Sequence, residues 1–340
     1  MPEEIGLRFF SVTPGCVLRG MSDLLIHVSR RAMACEFEVQ FPAERYEQGT
    51  ESALGALDLV ETLEEQLSYF RPTSEISRVN LLAADEPVEV DPRLFELLRL
   101  AAMLYDETAG AYDITSAPLW EIWGFSRRAG KIPSDADLAA TRSRVGGHLV
   151  ELDSTRHTVR FCKPGVRINL GSLGKGYALD ACGEQLLTAG MADFLLHGGQ
   201  SSVLARGSVG KVAWEIGIRH PLQAGQRLGV VRLCNRALGT SGQQSQSFRH
   251  RGRRYGHILD PRSGWPAEGV LSATVVAPTA ALADALSTAC YVMGAKQSLD
   301  YCRSHPGIGV VLLCPCPHGG GVEVHTAGLG DGELTIRLNH

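Results

Sequence analysis

Asp284 and Thr288 stand four residues apart in ALADALSTACYVMG, an alanine-rich segment that reads as a helix following a buried strand. At that spacing both side chains share one helix face. A carboxylate and a hydroxyl offer oxygen only, the hard ligation that suits Mg²⁺ completed by waters and substrate phosphates and does not suit zinc. A structural reading competes: Asp284 caps or pairs locally while Thr288 bonds back to the Asp284 carbonyl. Taken in isolation, the structural reading is the stronger of the two.

A second chemical segment is NLGSLGKGYALD, from Asn169 to Asp180, lying between a strand that ends in RINL and a helix. Gly171, Gly174 and Gly176 let backbone N–H groups approach an anion, a helix N-terminus adds partial positive charge, and Lys175 can neutralise a pyrophosphate oxygen. This is not a Walker loop, because Gly176 follows the lysine where Ser or Thr is required. The GxGxxG dinucleotide fingerprint is missing too. The alternative is a glycine-rich turn with a solvated lysine. A third segment, GHILDPRSGWP, joins a short strand to a stiff Asp-Pro turn and carries His257, which is either a structural strand histidine or a general base at neutral pH.

Elements must position these groups. CEFEVQF at 35–41 alternates apolar and polar residues as a half-buried strand does. Leu54, Leu57, Val60, Leu63 and Leu67 recur at three and four and predict a helix over 51–67. Asp91 followed by Pro92 signals the start of a second helix, which Gly110 lies beyond, and a shorter helix begins near Ser134. Strands are predicted at 159–161, 194–196, 212–218, 228–233, 271–276, 310–313 and 334–338, and helices interrupt them around 174–188 and 280–293. That order is neither a βαβ alternation nor all-β, so the predicted class is α+β with mixed, largely antiparallel sheets, flanking helices and two closely packed lobes around a cleft. Residues 1–30 read as an N-terminal extension, 31–340 as the functional domain, and 126–147 as the boundary between lobes.

At 340 residues with a net charge of −4, the chain is long enough for a large core and lacks the overall basic balance of a nucleic-acid or membrane-surface binder. Nine cysteines without a CxxC pair argue against a disulfide framework and a structural zinc site, and Cys314, Cys316 and His318 read as a loop split by prolines. No apolar run precedes Cys16 in TPGCVLRG, Met21 is an alternative start, and no transmembrane segment stands out, so a cytoplasmic location is expected.

Four separated stretches, LSYFRPTSEISRVN, TAGAYDITSAPLWEIWGF, INLGSLGKGYALD and SGQQSQSFRHRGRRYGHILDPRSGWP followed by ALADALSTACYVMG, together resemble the ApbE family of FAD:protein FMN transferases, from about Ala32 to Met293 and in the family's order. The resemblance implies that FAD binds with Mg²⁺, that FMN passes to a Thr or Ser hydroxyl of an acceptor flavoprotein, and that AMP leaves. Matched position by position, it implies metal ligation by Asp284, Thr288 and the backbone carbonyl of Ser172. It implies contacts to the flavin dinucleotide from Met33, Phe70, Ala111, Tyr112, Asp113, Asn169, Lys175 and Ile258. His257 falls on the family's histidine, with a base role, and Lys175 would offset charge on the pyrophosphate. Three positions depart from the family's habit: Asn169 replaces a common aspartate, Phe70 a Tyr or Trp, and Gln243 a frequent acidic residue. Two other readings use the same residues: an FAD pyrophosphatase in which water replaces the acceptor, and a non-catalytic FAD-binding protein. The stretch EGVLSAT at 268–274 resembles the family's acceptor motif but reads as a strand edge.

Overall fold

The computed structural model describes residues 6–10, 24–242, 246–316 and 319–336. Cys16, Met21, Gln243 and His318 lie outside the described residues. Helices among them are α1 (Gly49–Leu67), α2 (Glu75–Leu82), α3 (Pro92–Glu107), α4 (Ala117–Ile122), α5 (Asp135–Arg142), α6 (Gly174–Thr188) and α7 (Ala280–Ser304). In α1 the residues at three-and-four spacing, Ala53, Ala56, Leu57, Val60, Leu63 and Leu67, are the buried ones. Asp91 caps α3 by accepting from the backbone nitrogens of Arg93 at 2.8 Å and Leu94 at 3.4 Å. In α7 two helical segments meet at Gly294, whose φ of 75° breaks the helical geometry directly after the predicted end at 293, and the second segment continues to Ser304.

The strands are β1 (Gly6–Phe10), β2 (Leu25–Ala32), β3 (Cys35–Pro42), β4 (Val88–Glu89), β5 (Val150–Asp153), β6 (Thr158–Phe161), β7 (Phe194–Gly198), β8 (Ser202–Arg206) and β9 (Trp214–Arg219), followed by β10 (Arg227–Leu233), β11 (Arg236–Gly242), β12 (Ser247–His250), β13 (Arg253–Gly256), β14 (Ser272–Ala277), β15 (Gly309–Pro315), β16 (Val322–Ala327) and β17 (Leu334–Ile336). Nine of them form one sheet in the order β1-β2-β3-β7-β8-β11-β14-β15-β16. Every neighbouring pair in it is antiparallel. Smaller sheets are β17-β10-β9, β4-β6-β5 and the β12-β13 hairpin. Residues 25–30, at the end of the stretch read as an extension, belong to β2, where Leu25 and Val28 are buried and the strand pairs along its whole length with β3.

Because successive strand residues face opposite sides, the large sheet feeds two cores. Val39, Leu204, Ala237, Val275 and Val310 face α1, α6 and α7 in the main core. Val203, Ala205, Leu238, Val276 and Val311 face the β17-β10-β9 sheet in a second. Each large apolar side chain removed from water there contributes about 2 kcal/mol. A third cluster, with Leu119, Trp123, Phe125, Leu138, Tyr255 and Leu259, lies beneath the β12-β13 hairpin. The stretch 126–147 contains α5, which contributes Leu138 to that cluster.

Candidate active site

Residues of all three cores line a cavity of about 760 Å³. The glycine segment enters it from one side. Asn169 takes the backbone N–H of Gly171 on its Oδ1 at 2.8 Å, and its own N–H donates to the Ile114 carbonyl at 2.8 Å. A neutral amide therefore shapes this turn without a carboxylate. Beyond the turn, α6 starts at Gly174 and directs Lys175 into the cavity wall.

Helix α7 packs directly against this segment. It approaches α6 and β11 at backbone contact, since a Cβ on Gly176 would lie 2.1 Å from the Ala280 carbonyl oxygen and one on Gly239 would lie 2.4 Å from that of Ala283. Asp180 of α6 anchors the start of α7 by accepting from the nitrogens of Ala280 at 2.8 Å and Ala281 at 2.9 Å. This close seating carries Asp284 into the cavity. Its Oδ2 accepts from Gly176 N at 2.9 Å and Ser202 Oγ at 2.7 Å, and lies 3.9 Å from Lys175 Nζ.

The Asp284 carboxyl is fully inside the protein, and burial pushes it above the ordinary carboxylate range against the opposing pull of Lys175, Ser202 and the Gly176 amide. Thr288, one turn on, lines the same cavity; its Oγ1 donates to the Asp284 carbonyl at 3.4 Å and meets Ser241 Oγ at 3.1 Å. Both the back-bonding predicted by the structural reading and the cavity-facing placement are therefore present. Ser172 lines the wall as well, with its hydroxyl donating to the buried Tyr112 phenol at 3.1 Å.

This donor set is made of oxygens, with one carboxylate, and among the described residues no group of three or more His, Cys, Asp or Glu side chains is placed to hold a metal. Such a set fits a hard cation that keeps several waters and shares substrate phosphates. A second positive charge beside a buried carboxylate would also complete a site that Lys175 neutralises only from 3.9 Å.

His257 follows β13 directly and lines the cavity. Its Nδ1 lies 3.0 Å from the Gln246 carbonyl, which can only accept; Nδ1 therefore carries the proton, and in the neutral ring Nε2 is the basic nitrogen. Burial lowers its pKa below the ordinary 6.5, so the ring is neutral at neutral pH.

The remaining predicted contacts divide. Ala111, Tyr112, Asp113, Asn169, Lys175 and Ile258 line the cavity, as does Phe70 at its rim. Phe70 is 66% exposed and packs edge-on to Tyr69, whose hydroxyl is fixed by Glu121 at 2.6 Å. Asp113 is buried and spends Oδ1 on the backbone and hydroxyl of Thr115, at 2.8 and 2.6 Å, while burial pushes its carboxyl up to about 6. Met33 is not on the cavity wall; it sits at φ 47° in the β2–β3 turn, its N–H bonded to Glu64 at 2.6 Å. Thr274 of EGVLSAT is buried in β14 against Thr240 at 3.0 Å. Ser202, Gln200 and Arg219 went unread in the sequence, although the tight GGQSS turn between β7 and β8 marks where the first two enter.

The model of the ApbE family matches residues 33–312. An FAD:protein FMN transferase of Treponema pallidum is 32% identical over 282 residues, covering 76% of this chain and 77% of that protein. One from Haemophilus influenzae is 30% identical over 270 residues, covering 77% of this chain and 78% of that protein. Among solved structures, the ApbE protein from Thermotoga maritima superposes with a TM-score of 0.80 at 29% identity, covering 88% of this chain and 97% of its own. The flavin transferase ApbE from Vibrio cholerae does so with 0.78 at 26% identity, covering 89% and 97%.

Proposed function

The chain belongs to the ApbE family, and from that premise we propose that it carries out Mg²⁺-dependent transfer of the FMN half of FAD to a threonine or serine hydroxyl of an acceptor flavoprotein, with release of AMP. Its activity is FAD:protein FMN transfer. The convergence of Asp284, Thr288, Ser172, Lys175 and His257 on one cavity wall supports this reading most directly.

Asp284, Thr288 and the Ser172 backbone carbonyl would hold Mg²⁺, which when bound supplies charge neutralisation at the pyrophosphate oxygens. Lys175 offsets the charge that builds on those oxygens as the acceptor attacks. Backbone groups of the Asn169–Gly176 segment position the phosphates, while Phe70, Ala111, Tyr112, Asp113 and Ile258 flank the dinucleotide. His257 removes the acceptor hydroxyl's proton at Nε2. The acceptor oxygen then bonds to the FMN phosphorus, and the bridging P–O bond to AMP breaks.

Incubation with FAD, Mg²⁺ and an acceptor flavoprotein, read by intact mass, tests the reading. The expected result is one FMN covalently added to the acceptor and AMP in solution. Free FMN with an unmodified acceptor would identify a pyrophosphatase, and bound FAD with no product would identify a binding protein.

A further inference from the structure

The β12-β13 hairpin carries Arg249, His250, Arg251, Arg253 and Arg254, all exposed, and no acidic residue occurs from Ser247 to Leu259. A second segment, from Gly124 to Pro133, adds exposed Arg127, Arg128 and Lys131, again without an acid. The two segments are joined in space. Phe248 packs on Phe125 at 5.6 Å between ring centres, Gln246 Nε2 donates to the Phe125 carbonyl at 2.8 Å, and a groove between the segments is lined by Lys131, Ile132, His250, Arg251, Arg253 and Tyr255. Glu268 pairs with Arg253 at 2.6 Å on its outer side.

A concentrated cationic face on a chain of net charge −4 has a directional effect. The rest of the molecule repels an acidic partner and this face attracts it, so approach is steered to one side. The hairpin is also the mount of the base: β13 runs straight into His257, and Gln246, just before β12, holds the His257 ring. Arg253 lies four residues from His257, no more than about 13 Å of extended chain.

We propose that this basic hairpin and its groove are the docking surface for an acidic segment of the acceptor flavoprotein, adjoining the residue whose hydroxyl receives FMN. The proposal rests on the transfer reading above for its partner. A segment held in the groove lies within one strand length of the base, so electrostatic capture brings its neighbouring hydroxyl within reach of His257. A solvated charged strand has no need of the apolar floor that Ile132 and Tyr255 give this groove.

The test uses the whole protein with FAD and Mg²⁺, and one flavin-accepting domain made in three forms, with a run of glutamates, glutamines or lysines beside its acceptor threonine. Binding of each labelled domain is measured by fluorescence anisotropy, and flavin transfer is followed separately. The glutamate form should bind about tenfold tighter than the glutamine form, with the advantage eroded by salt. In a triple Arg249→Gln, Arg251→Gln, Arg253→Gln variant the advantage should vanish, and in the corresponding triple Glu variant the lysine form should bind best. FAD affinity should stay unchanged in both, which shows that the variants are folded. Equal binding of the three forms, or a glutamate preference that survives both variants, would overturn the proposal. The expected binding order without flavin transfer would support the surface and overturn the transfer reading. Vesicles with about 30% phosphatidylglycerol that displace the glutamate form would assign the face to a membrane and overturn it as well.

Discussion

Gly176 donates its backbone N–H to Asp284 Oδ2 at 2.9 Å, and its missing side chain makes room for the Ala280 carbonyl. The residue that seats α7 on α6 is therefore the same one that fixes the buried carboxylate. Gly176→Ala should force the helices apart, at a cost of about 1–3 kcal/mol. Thermal melting should show a lowered Tm, and titration with Mg²⁺ should show weakened binding in the fraction that still folds.

Asp284→Asn separates charge from shape. Asparagine can still accept from Ser202 and Gly176 through its oxygen, so the fold should survive. Its lost charge should lower AMP release from FAD by about two orders of magnitude or more, and excess Mg²⁺ should recover little of it. Unchanged turnover in this variant would remove Asp284 from the metal site.

Burial holds the pKa of His257 below 6.5. The ring thus stays neutral and basic through neutral pH and charges only on further acidification. Transfer rate should be flat above pH 6.5 and fall on an acid limb below it as Nε2 takes a proton. His257→Gln should be slow and lack that limb, whereas a limb that persists in the variant would assign the titration to another group.

Phe70 presents an exposed ring at the cavity rim. Removing it in Phe70→Ala should weaken FAD binding by about 1 kcal/mol, roughly fivefold, while Phe70→Tyr should bind as well as the native protein. Quenching of flavin fluorescence measures both.

Asp180 receives two N–H groups at the start of α7, one on each oxygen. Asparagine there can satisfy one and must point its NH₂ at the other. Asp180→Asn should therefore lower stability by about 1–2 kcal/mol in denaturant unfolding, with Mg²⁺ affinity reduced because α7 carries Asp284 and Thr288, the proposed ligands.

Sequence pattern was most informative where local chemistry decides the structure. Asp91-Pro92 announced α3, the three-and-four spacing announced α1, and alternation announced β3. It failed for β8 and β11, central strands covered on both faces and built from SVLAR and RALGTSG, where burial erases alternation and small residues erase β-propensity. The segment at β2 was lost for the opposite reason, since LIHVSRRA places polar residues on a partly open face. Residue types alone left Asp284, Thr288, Lys175 and His257 with structural readings as strong as the chemical ones, and only the order of several motifs along the chain set them together. The partners that hold them were not legible, because Ser202 lies 82 residues from Asp284, and Tyr112 lies 60 from Ser172. Family resemblance placed Met33 among the dinucleotide contacts, and no local pattern in the sequence pointed to the β2–β3 turn that holds it.

Ser202 reaches Asp284 from the middle of the nine-stranded sheet, while Gly176 and Lys175 reach it from α6. No contiguous stretch shorter than the span from 175 to 284 contains all of these groups, and β8 takes its place only when β7 and β11 flank it. The buried charge thus becomes tolerable late, after the long-range pairings have closed. An unfinished or damaged chain would have no assembled centre with which to cleave FAD, so catalytic competence serves as its own certificate of completed folding.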